Sequence, residues 1–415
     1  MKSHSNGACH NTIVLAFSGG LDTTYCTAWL STQGWRVVTA TVDTGGFTSK
    51  DLAMMARRSR AAGSIRHITL NGVDRLMQQV GRFLIYGDVA RGLGYPLCVA
   101  AERVIQVMML AEIALSLKGD AVAHGCTGAG NDQMRFEIGL RALAPNLPIV
   151  APIAEQQLTR QNATAFLAGR GLHLPSRQTR YSINQGLLGT TFGGGALHHP
   201  ELAVSTREIF APVAASKAAL TLTFRKGLPV QLNGKPMPLV RLLSDLNQLG
   251  RRHGLGRGIH VGTTILGVKG RIAYEAPGLA IIYRAHQELE AFTLTHEQLS
   301  WKKSVGEAYG DQLHRGLFFN PVMRDFESFL ASSQAAVTGV VTLSLHQGKI
   351  DLVKLQSPQT LMNAQVATYG ESHAAWDARD AAGFRKLYGL ETVLAARRAR
   401  STWGAGGAVP AARRP

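Results

Sequence analysis

The sequence predicts an α/β protein whose N-terminal part is a parallel-sheet, nucleotide-binding domain. Through the first half of the chain, apolar runs alternate with segments of helical periodicity, a pattern typical of parallel strands joined by crossover helices. The chain has 415 residues, which is more than one hydrophobic core usually holds. We therefore expect two main domains, with the parallel sheet in the first.

The predicted elements of the first domain follow one another at short intervals. Helical periodicity marks three segments, and apolar runs mark five buried strands. The helices are residues 22–31, 49–62 and 97–117, and the strands are residues 12–17, 36–42, 65–70, 121–124 and 147–150. This alternation predicts a nucleotide-binding architecture.

A polar, turn-rich stretch near residues 170–185 separates this first pattern from a second one. Short strands alternate there with longer helices, which predicts an α+β domain. The strands are residues 220–224, 258–266 and 336–345, and the helices are residues 238–253, 279–292 and 320–333. Residues 189–199 contain three consecutive glycines and are predicted to be a flexible loop. The predicted boundaries are a flexible N-terminus at 1–10, domains at 11–172 and 173–370, a helical arm at 371–398, and a disordered basic tail at 399–415.

Composition excludes several classes of protein. No uncharged apolar run of about 18 residues predicts a membrane span, and the N-terminus lacks the features of a secretory signal, so we expect a cytoplasmic protein. The net charge of +17 is spread thinly and is partly contained in the arginines of the last segment, which disfavours a nucleic-acid partner. The four cysteines lack the close pairs of metal sites and disulfide frameworks.

A strand–loop–helix junction carries the first motif. Within residues 16–24 a predicted strand ends, two glycines follow, and Asp22 opens a helix. Glycines allow the backbone to approach a phosphate, and the first N–H groups of a helix point at a bound anion. The junction could be an ordinary turn with Asp22 as the helix cap, but the whole string is more specific than that. We expect residues 18–24 to grip the phosphates of ATP.

The string Ser-Gly-Gly-Leu-Asp-Thr resembles the pyrophosphate loop of N-type ATP pyrophosphatases, which cleave ATP to AMP and pyrophosphate. A second string, residues 123–137, follows a predicted strand and resembles the signature of argininosuccinate synthases. It reads Ala-His-Gly-Cys-Thr-Gly-Ala-Gly-Asn-Asp-Gln-Met-Arg-Phe-Glu. Shorter similar strings stand at residues 41–45, 151–153, 181–183, 254–257, 267–269, 274–277 and 382–384. The resemblance covers residues 11–398.

The resemblance implies a fold, a reaction and an assembly. In that family the ureido oxygen of citrulline attacks the α-phosphate of ATP, pyrophosphate leaves, and the amine of L-aspartate then displaces AMP. We therefore expect an adenine nucleotide α-hydrolase-like domain, a synthetase and oligomerisation domain, and a homotetramer with interlocking C-terminal arms. ATP is expected as its Mg²⁺ complex and as a substrate, with neither a tightly bound cofactor nor a metal held by the protein itself.

The resemblance also assigns the ATP and aspartate sub-sites. ATP-binding residues are Ala16, Phe17, Ser18, Gly19, Gly20, Leu21, Asp22, Thr23, Thr24, Val42 and Gly125; aspartate-binding residues are Thr127, Asn131, Asp132 and Arg135. Asp22 and Asp132 are the predicted catalytic residues. A guanidinium can bind a carboxylate with two hydrogen bonds, although the same cluster could be an ordinary polar helix start. Two residues depart from the family: Ala129 stands in place of a lysine and Gly46 in place of a glutamine.

The acceptor sub-site departs further. Its predicted residues are Tyr95, Ala100, Arg103, Ser182, Thr191, Gly262 and Tyr274. Ala100 replaces a serine, and Gly262 replaces the glutamate that binds the α-ammonium group of citrulline. A hydrogen bond to a charged group contributes on the order of 1.5–3 kcal/mol, so this loss predicts citrulline binding that is about tenfold to a hundredfold weaker. Residues 184–186, Asn-Gln-Gly, replace Asp-Glu-Asn, and Gly193 replaces a glutamate, so carboxylates are lost together.

Three functions stay open at this point. We expect a ligase that joins L-aspartate to a ureido or amide-like acceptor other than citrulline. The alternatives are a genuine argininosuccinate synthase and a nucleotide-binding relative without turnover. An RNA-modifying pyrophosphatase is disfavoured, since neither an RNA-binding appendage nor a reactive cysteine pair is evident. Of the histidines, only His124, beside the signature, is singled out for testing.

Overall fold

The computed structural model describes residues 11–174, 181–214, 216–370 and 376–403, without the side chains of residues 401–403. Its contacts divide the chain into two compact units, the first ending at Gln359 and the second beginning at Thr360. Within the described residues, no helix combines the length and the apolar character needed to cross a bilayer.

A five-stranded parallel sheet forms the first part of the first unit. Its strands are β1 (Thr12–Ala16), β2 (Arg36–Asp43), β3 (Arg66–Asn71), β4 (Ala121–Ala123) and β5 (Ile149–Val150). They lie in the order β3-β2-β1-β4-β5, and every neighbouring pair is parallel. The predicted parallel-sheet domain is confirmed.

Helices cover both faces of this sheet. They are α1 (Leu21–Thr32), α2 (Ser49–Ala61), α3 (Val73–Leu76), α4 (Arg82–Tyr86), α5 (Cys98–Ser116), α6 (Asn131–Leu143), α7 (Pro152–Glu155) and α8 (Arg160–Ala168), with a π-helical turn at Met77–Gly81. Ile13 and Leu15 pack with α1 on one face, whereas Val14 packs with α5 and α6 on the other. Strands buried on both faces appear in the sequence as continuous apolar runs, which explains why these strands could be recognised.

Two antiparallel sheets follow in the same unit. The strands are β6 (Ser182–Gly186), β7 (Gly189–Gly193), β8 (Ala218–Arg225), β9 (Leu228–Leu232), β10 (Lys235–Pro236), β11 (Arg257–Thr263), β12 (Lys269–Glu275), β13 (Gly339–His346) and β14 (Lys349–Gln356). One sheet has the order β11-β12-β7-β6 and the other β10-β9-β8-β13-β14. The helices are α9 (Thr206–Ile209), α10 (Leu239–Arg252), α11 (Pro277–Thr293), α12 (His296–His314) and α13 (Val322–Ser333).

One prediction for this region is wrong, and one helix was missed. The segment predicted as a flexible loop contains β7, an inner strand paired on both sides, followed by a short 3₁₀ turn at Gly195–His198. Thr190, Thr191 and Phe192 favour a strand despite the flanking glycines. The long helix α12 was not predicted; it begins at His296, just beyond the end of α11. Its start is marked by a capping box of Thr295 and Gln298.

The second unit contains two helices, α14 (Ala378–Tyr388) and α15 (Leu390–Trp403). Asp377 and Asp380 form a capping box at the start of α14. The predicted helical arm is therefore present, and α15 continues to Trp403, into the segment predicted to be disordered. Residues 404–415 lie outside the described residues. Phe384, Leu387 and other apolar side chains are exposed in the single chain; assembly into a homotetramer stays a prediction.

A buried ionic cluster holds Asp88, which follows α4, against helices α11 and α12. The Lys302 ammonium group bonds the carboxylates of both Asp88 and Glu290, and His286 lies 3.0 Å from Asp88 and 2.8 Å from Gln334. Asp88, His286 and Glu290 are close enough together to hold a metal ion, but the lysine supplies the positive charge. Despite burial, the two carboxylates raise the pKa of Lys302, so it stays charged.

We predict that Lys302→Met destabilises the protein by about 3–5 kcal/mol, because two buried carboxylates lose their cation. Urea denaturation monitored by circular dichroism measures this change. The exposed neighbour provides a matched control: Lys303→Met should change stability by less than about 0.5 kcal/mol. Equal effects of the two substitutions would show that the buried cluster does not stabilise the fold.

Candidate functional site

The phosphate loop, residues 18–24, connects β1 to α1. Gly19 adopts a positive φ of 70°, which favours glycine. The Thr23 hydroxyl accepts a 3.3 Å hydrogen bond from the Ser18 backbone N–H, and the Thr24 hydroxyl donates to the Gly20 carbonyl at 2.7 Å. These bonds hold the loop in a tight curve around the N-terminus of α1.

The N-terminus of α1 is left open by its cap. Gly20 is the N-cap residue, and no side chain caps the helix, so the alternative in which Asp22 is an ordinary cap does not hold. Burial raises the pKa of Asp22, an effect that the charge of Arg160 opposes. The first N–H groups of the helix can therefore bind an anion.

Other predicted nucleotide residues lie beside this loop. Val42 is buried near the end of β2, and a side chain at Gly125, just beyond β4, would come within 3.1 Å of Thr23. His124 is buried with its Nε2 unpaired, and burial lowers its pKa to about 4. The His124 ring is therefore neutral near pH 7. A functional role for this histidine stays a prediction.

Asp132 lies between two guanidinium groups. Its carboxylate accepts from Arg103 Nε and Arg135 Nη1, each at 2.9 Å. Burial acts to raise its pKa, but the two arginines outweigh that effect and lower it. Asn131, at the start of α6, accepts a 2.8 Å hydrogen bond from the Ile265 backbone N–H. Neither side chain caps α6, so this cluster is more than a polar helix start.

Four of the predicted acceptor residues, Ser182, Thr191, Gly262 and Tyr274, share one face of the sheet formed by β6, β7, β11 and β12. Asn184 pairs with Thr191, and Thr191 pairs with Tyr274. Directly paired residues share a face, and so do residues two apart along a strand, which adds Ser182 to this face. We call this surface the acceptor face. On its outer strand β11 it carries Gly258, His260 and Gly262.

Side chains from the first part of the unit lie against the acceptor face. The Tyr95 ring centre is 5.5 Å from that of Tyr274 and 5.3 Å from that of His260. Arg103 Nη2 donates to Asn184 Oδ1 at 2.6 Å, so one arginine contacts both Asp132 and the acceptor face. Ala100 is buried and lines a small cavity together with Arg103 and Arg135. The aspartate and acceptor residues predicted from sequence are therefore contiguous.

The region around Gly262 is occupied by a neighbouring ring. A Cβ atom on Gly262 would lie 2.5 Å from His260 Nε2. The imidazole therefore fills the space in which the family's glutamate side chain would begin. Burial, reinforced by the charge of Arg91, lowers the pKa of His260, so this ring is neutral near pH 7.

Sequence reasoning missed one buried carboxyl group beside this face, that of Glu102. Glu102 is 2% exposed, its Oε1 has no hydrogen-bond partner, and burial raises its pKa to about 8. Its carboxyl group occupies the position that a Cβ on Gly186 would need. The signal available in the sequence was a glutamate in the second turn of a largely apolar helix, α5. The residue that it faces, Gly186, lies far along the chain on β6.

Comparison with known proteins identifies the family. A model of the arginosuccinate synthase N-terminal HUP domain matches residues 12–173, and a model of the arginosuccinate synthase C-terminal domain matches residues 181–395. The chain belongs to the argininosuccinate synthase family. This is a family of C–N ligases that convert ATP to AMP and pyrophosphate.

Curated relatives are similar to this chain over nearly its whole length. Argininosuccinate synthase from Xanthomonas axonopodis pv. citri is 39% identical over 391 residues, covering 92% of this chain and 94% of the relative. The enzyme of the same name from Methanocaldococcus jannaschii is 33% identical, covering 92% and 97%. A solved NH₃-dependent NAD synthetase from Campylobacter jejuni covers 40% of this chain and 67% of its own, with 14% identity and a TM-score of 0.30, too little to support any conclusion.

We predict that Glu102→Gln changes how stability depends on pH. Between the ordinary carboxyl pKa of 4.5 and the folded value of about 8, the folded chain keeps a proton that the unfolded chain has lost. Raising the pH through this window therefore destabilises the parent by about 1.4 kcal/mol for each unit of the pKa difference. Glutamine does not ionise, so this loss should vanish in the variant.

Thermal unfolding at pH 6 and pH 8.5 measures the effect. The midpoint of the parent should fall relative to that of Glu102→Gln by several degrees. Replacing the exposed Glu307 with glutamine is the control and should leave the parent's pH dependence unchanged. Parallel pH profiles for the parent and Glu102→Gln would contradict the raised pKa.

Proposed function

We propose that this chain is an ATP-dependent, AMP-forming ligase that joins L-aspartate to a ureido acceptor. The observation that carries the proposal is the position of Asp132. Its carboxylate lies between Arg103 and Arg135, and Arg103 also contacts the acceptor face through Asn184. The residues proposed for the nitrogen donor and for the acceptor therefore meet through one side chain.

The proposed reaction has two steps. The ureido oxygen forms a bond to the α-phosphorus of ATP and pyrophosphate leaves; the aspartate amine then forms a bond to the ureido carbon and AMP leaves. Adenylation converts a poor oxygen leaving group into a good one. The N–H groups of the phosphate loop would stabilise charge on the departing phosphates, and ATP would bind as its Mg²⁺ complex.

Each sub-site has a proposed task. Arg135 would bind a carboxylate of aspartate, with Thr127 and Asn131 beside it, and Asp132 would receive the ammonium group or its proton. Asp22, at the first turn of α1, is the second proposed catalytic residue. Tyr95, Ser182, Thr191 and Tyr274 would contact the acceptor. We also propose a homotetramer formed through the helices of the second unit.

Citrulline is the acceptor that the comparisons favour. The relatives described above are named argininosuccinate synthase, and the family models together span most of the chain. Four of the acceptor residues, Tyr95, Ser182, Thr191 and Tyr274, keep the hydroxyl groups of the family pattern. This support is at least as strong as that for the changed acceptor expected from the sequence.

A changed acceptor remains a second candidate because of one feature of the acceptor face. None of the residues that β6, β7, β11 and β12 contribute to this face carries a carboxylate. At Gly262 the neutral ring of His260 occupies the relevant space. Glu102 does not replace the lost charge, since its pKa of about 8 keeps it protonated at neutral pH. An acceptor without an α-ammonium group would fit these residues better.

Pyrophosphate release tests both candidates. With ATP, Mg²⁺ and L-aspartate, we expect AMP and pyrophosphate to form in a ureido-dependent reaction. A KM for citrulline of about 1 μM–1 mM, the usual enzyme range, would support citrulline as the acceptor. A KM for citrulline above that range, and at least about tenfold above that of 5-ureidopentanoate, which lacks the ammonium group, would support the second candidate. If no ureido compound releases pyrophosphate, the ligase proposal fails.

Asp132→Asn tests the nitrogen-donor sub-site. Removing one charge from a part-buried ion-paired group costs about 2–5 kcal/mol, so kcat/KM for L-aspartate should fall at least about thirtyfold. The matched control is Asp245→Asn, which removes a surface partner of Arg241 on α10 and should preserve kcat/KM. Unchanged aspartate kinetics in a folded Asp132→Asn enzyme would remove this residue from the proposed site.

A further inference from the structure

Helix α2 lies directly against the phosphate loop. A Cβ atom on Gly19 would be 2.8 Å from the Cγ atom of Met55, a buried residue of α2. One turn further along the helix, the Arg58 guanidinium donates a hydrogen bond from Nη1 to the Gly19 carbonyl. A cationic side chain of α2 is therefore bonded to the backbone of the loop that we propose binds the phosphates of ATP.

The Arg58 guanidinium has no carboxylate partner among the described residues. Its other contact there is a 3.7 Å approach of Nη2 to the sulfur atom of Met54. The side chain is half-buried, and burial lowers its pKa, but a guanidinium stays charged near neutral pH. A charge that has lost part of its hydration without gaining a counter-charge favours an anionic ligand.

The two loops at the nucleotide site contain no cation of their own. The phosphate loop has the sequence Ser-Gly-Gly-Leu-Asp-Thr-Thr, and residues 125–130 have the sequence Gly-Cys-Thr-Gly-Ala-Gly. These loops are adjacent, since a Cβ on Gly125 would lie 3.1 Å from Thr23. Their one charged residue is the acid Asp22, on which the charge of Arg160 acts. Backbone N–H groups carry only partial charges, so a full positive charge from the protein must come from outside both loops.

We infer that Arg58 binds the pyrophosphoryl end of ATP and supplies the positive charge that the phosphate loop lacks. The Gly19 carbonyl holds one N–H group of the guanidinium, which leaves Nε and Nη2 to donate to phosphate oxygens. The role of Arg58 toward the leaving group rests on the proposed ligase function. Negative charge on pyrophosphate grows as its bond to the α-phosphorus breaks, and a nearby cation stabilises that charge.

Arg58→Met tests the charge with two probes. AMP and pyrophosphate correspond to the two ends of ATP, so their binding to the full chain can be measured separately by isothermal titration calorimetry in the presence of Mg²⁺. The Kd for pyrophosphate should rise by about tenfold to a hundredfold, because a charged hydrogen-bond donor is lost. The Kd for AMP should be unchanged.

Two further variants separate the charge of Arg58 from its bond to the loop. Arg58→Lys keeps the charge but not the planar fork, so it should retain part of the affinity for pyrophosphate. Arg58→Gln keeps an N–H donor for the Gly19 carbonyl but has no charge, and it should lose as much affinity as Arg58→Met. These two variants carry the comparison if Arg58→Met fails to fold, which thermal unfolding reveals. The exposed Arg57 supplies the control: Arg57→Met should bind pyrophosphate as the parent does.

The outcomes separate this inference from the ligase proposal. An unchanged Kd for pyrophosphate in Arg58→Met, or parental binding by Arg58→Gln, overturns the inference. Equal losses of affinity for AMP and pyrophosphate also overturn it, because they show a general disturbance of the nucleotide site. If pyrophosphate binding depends on Arg58 but no ureido compound causes pyrophosphate release, the ligase proposal is overturned and the binding role of Arg58 stands.

Discussion

The arrangement of the site depends on the guanidinium group of Arg103. It extends from the second turn of α5, donates to Asp132 at 2.9 Å and to Asn184 at 2.6 Å, and so joins the nucleotide-binding sheet to the acceptor face. Arg103 and Asp132 are both largely buried within the first unit. In such surroundings an ion pair is weakly screened and its geometry is strongly enforced. The separation between the start of α6 and the acceptor face is therefore set by a polar contact as well as by apolar packing.

Local signals explain which features the sequence revealed. The five parallel strands are buried on both faces, so each appears as an apolar run, and the phosphate loop depends on neighbouring residues of one short string. The strands and the loop require only that nearby residues adopt ordinary geometry, and the structure contains both. Helix α6, which begins at Asn131, was not among the predicted helices.

The features that were missed depend on residues far apart in the chain. Glycines at both ends of β7 suggested a loop, but pairing with β6 and β12 stabilises it as a strand. Glu102 gave no sign of contacting Gly186, more than eighty residues away. The cluster around Lys302 joins three separate segments in the same way. Tertiary contacts of this kind override local preference, and a single sequence does not display them.

Two glycines of the acceptor site illustrate how positions become mutually dependent. Glu102 occupies the space beside Gly186, and His260 occupies the space beside Gly262. A side chain at either glycine would overlap the end of its neighbour's side chain, so that neighbour would have to shift or be replaced. The effect of a substitution at Gly186 or Gly262 therefore depends on which residue stands at 102 or 260, and the two positions of each pair cannot be interpreted separately.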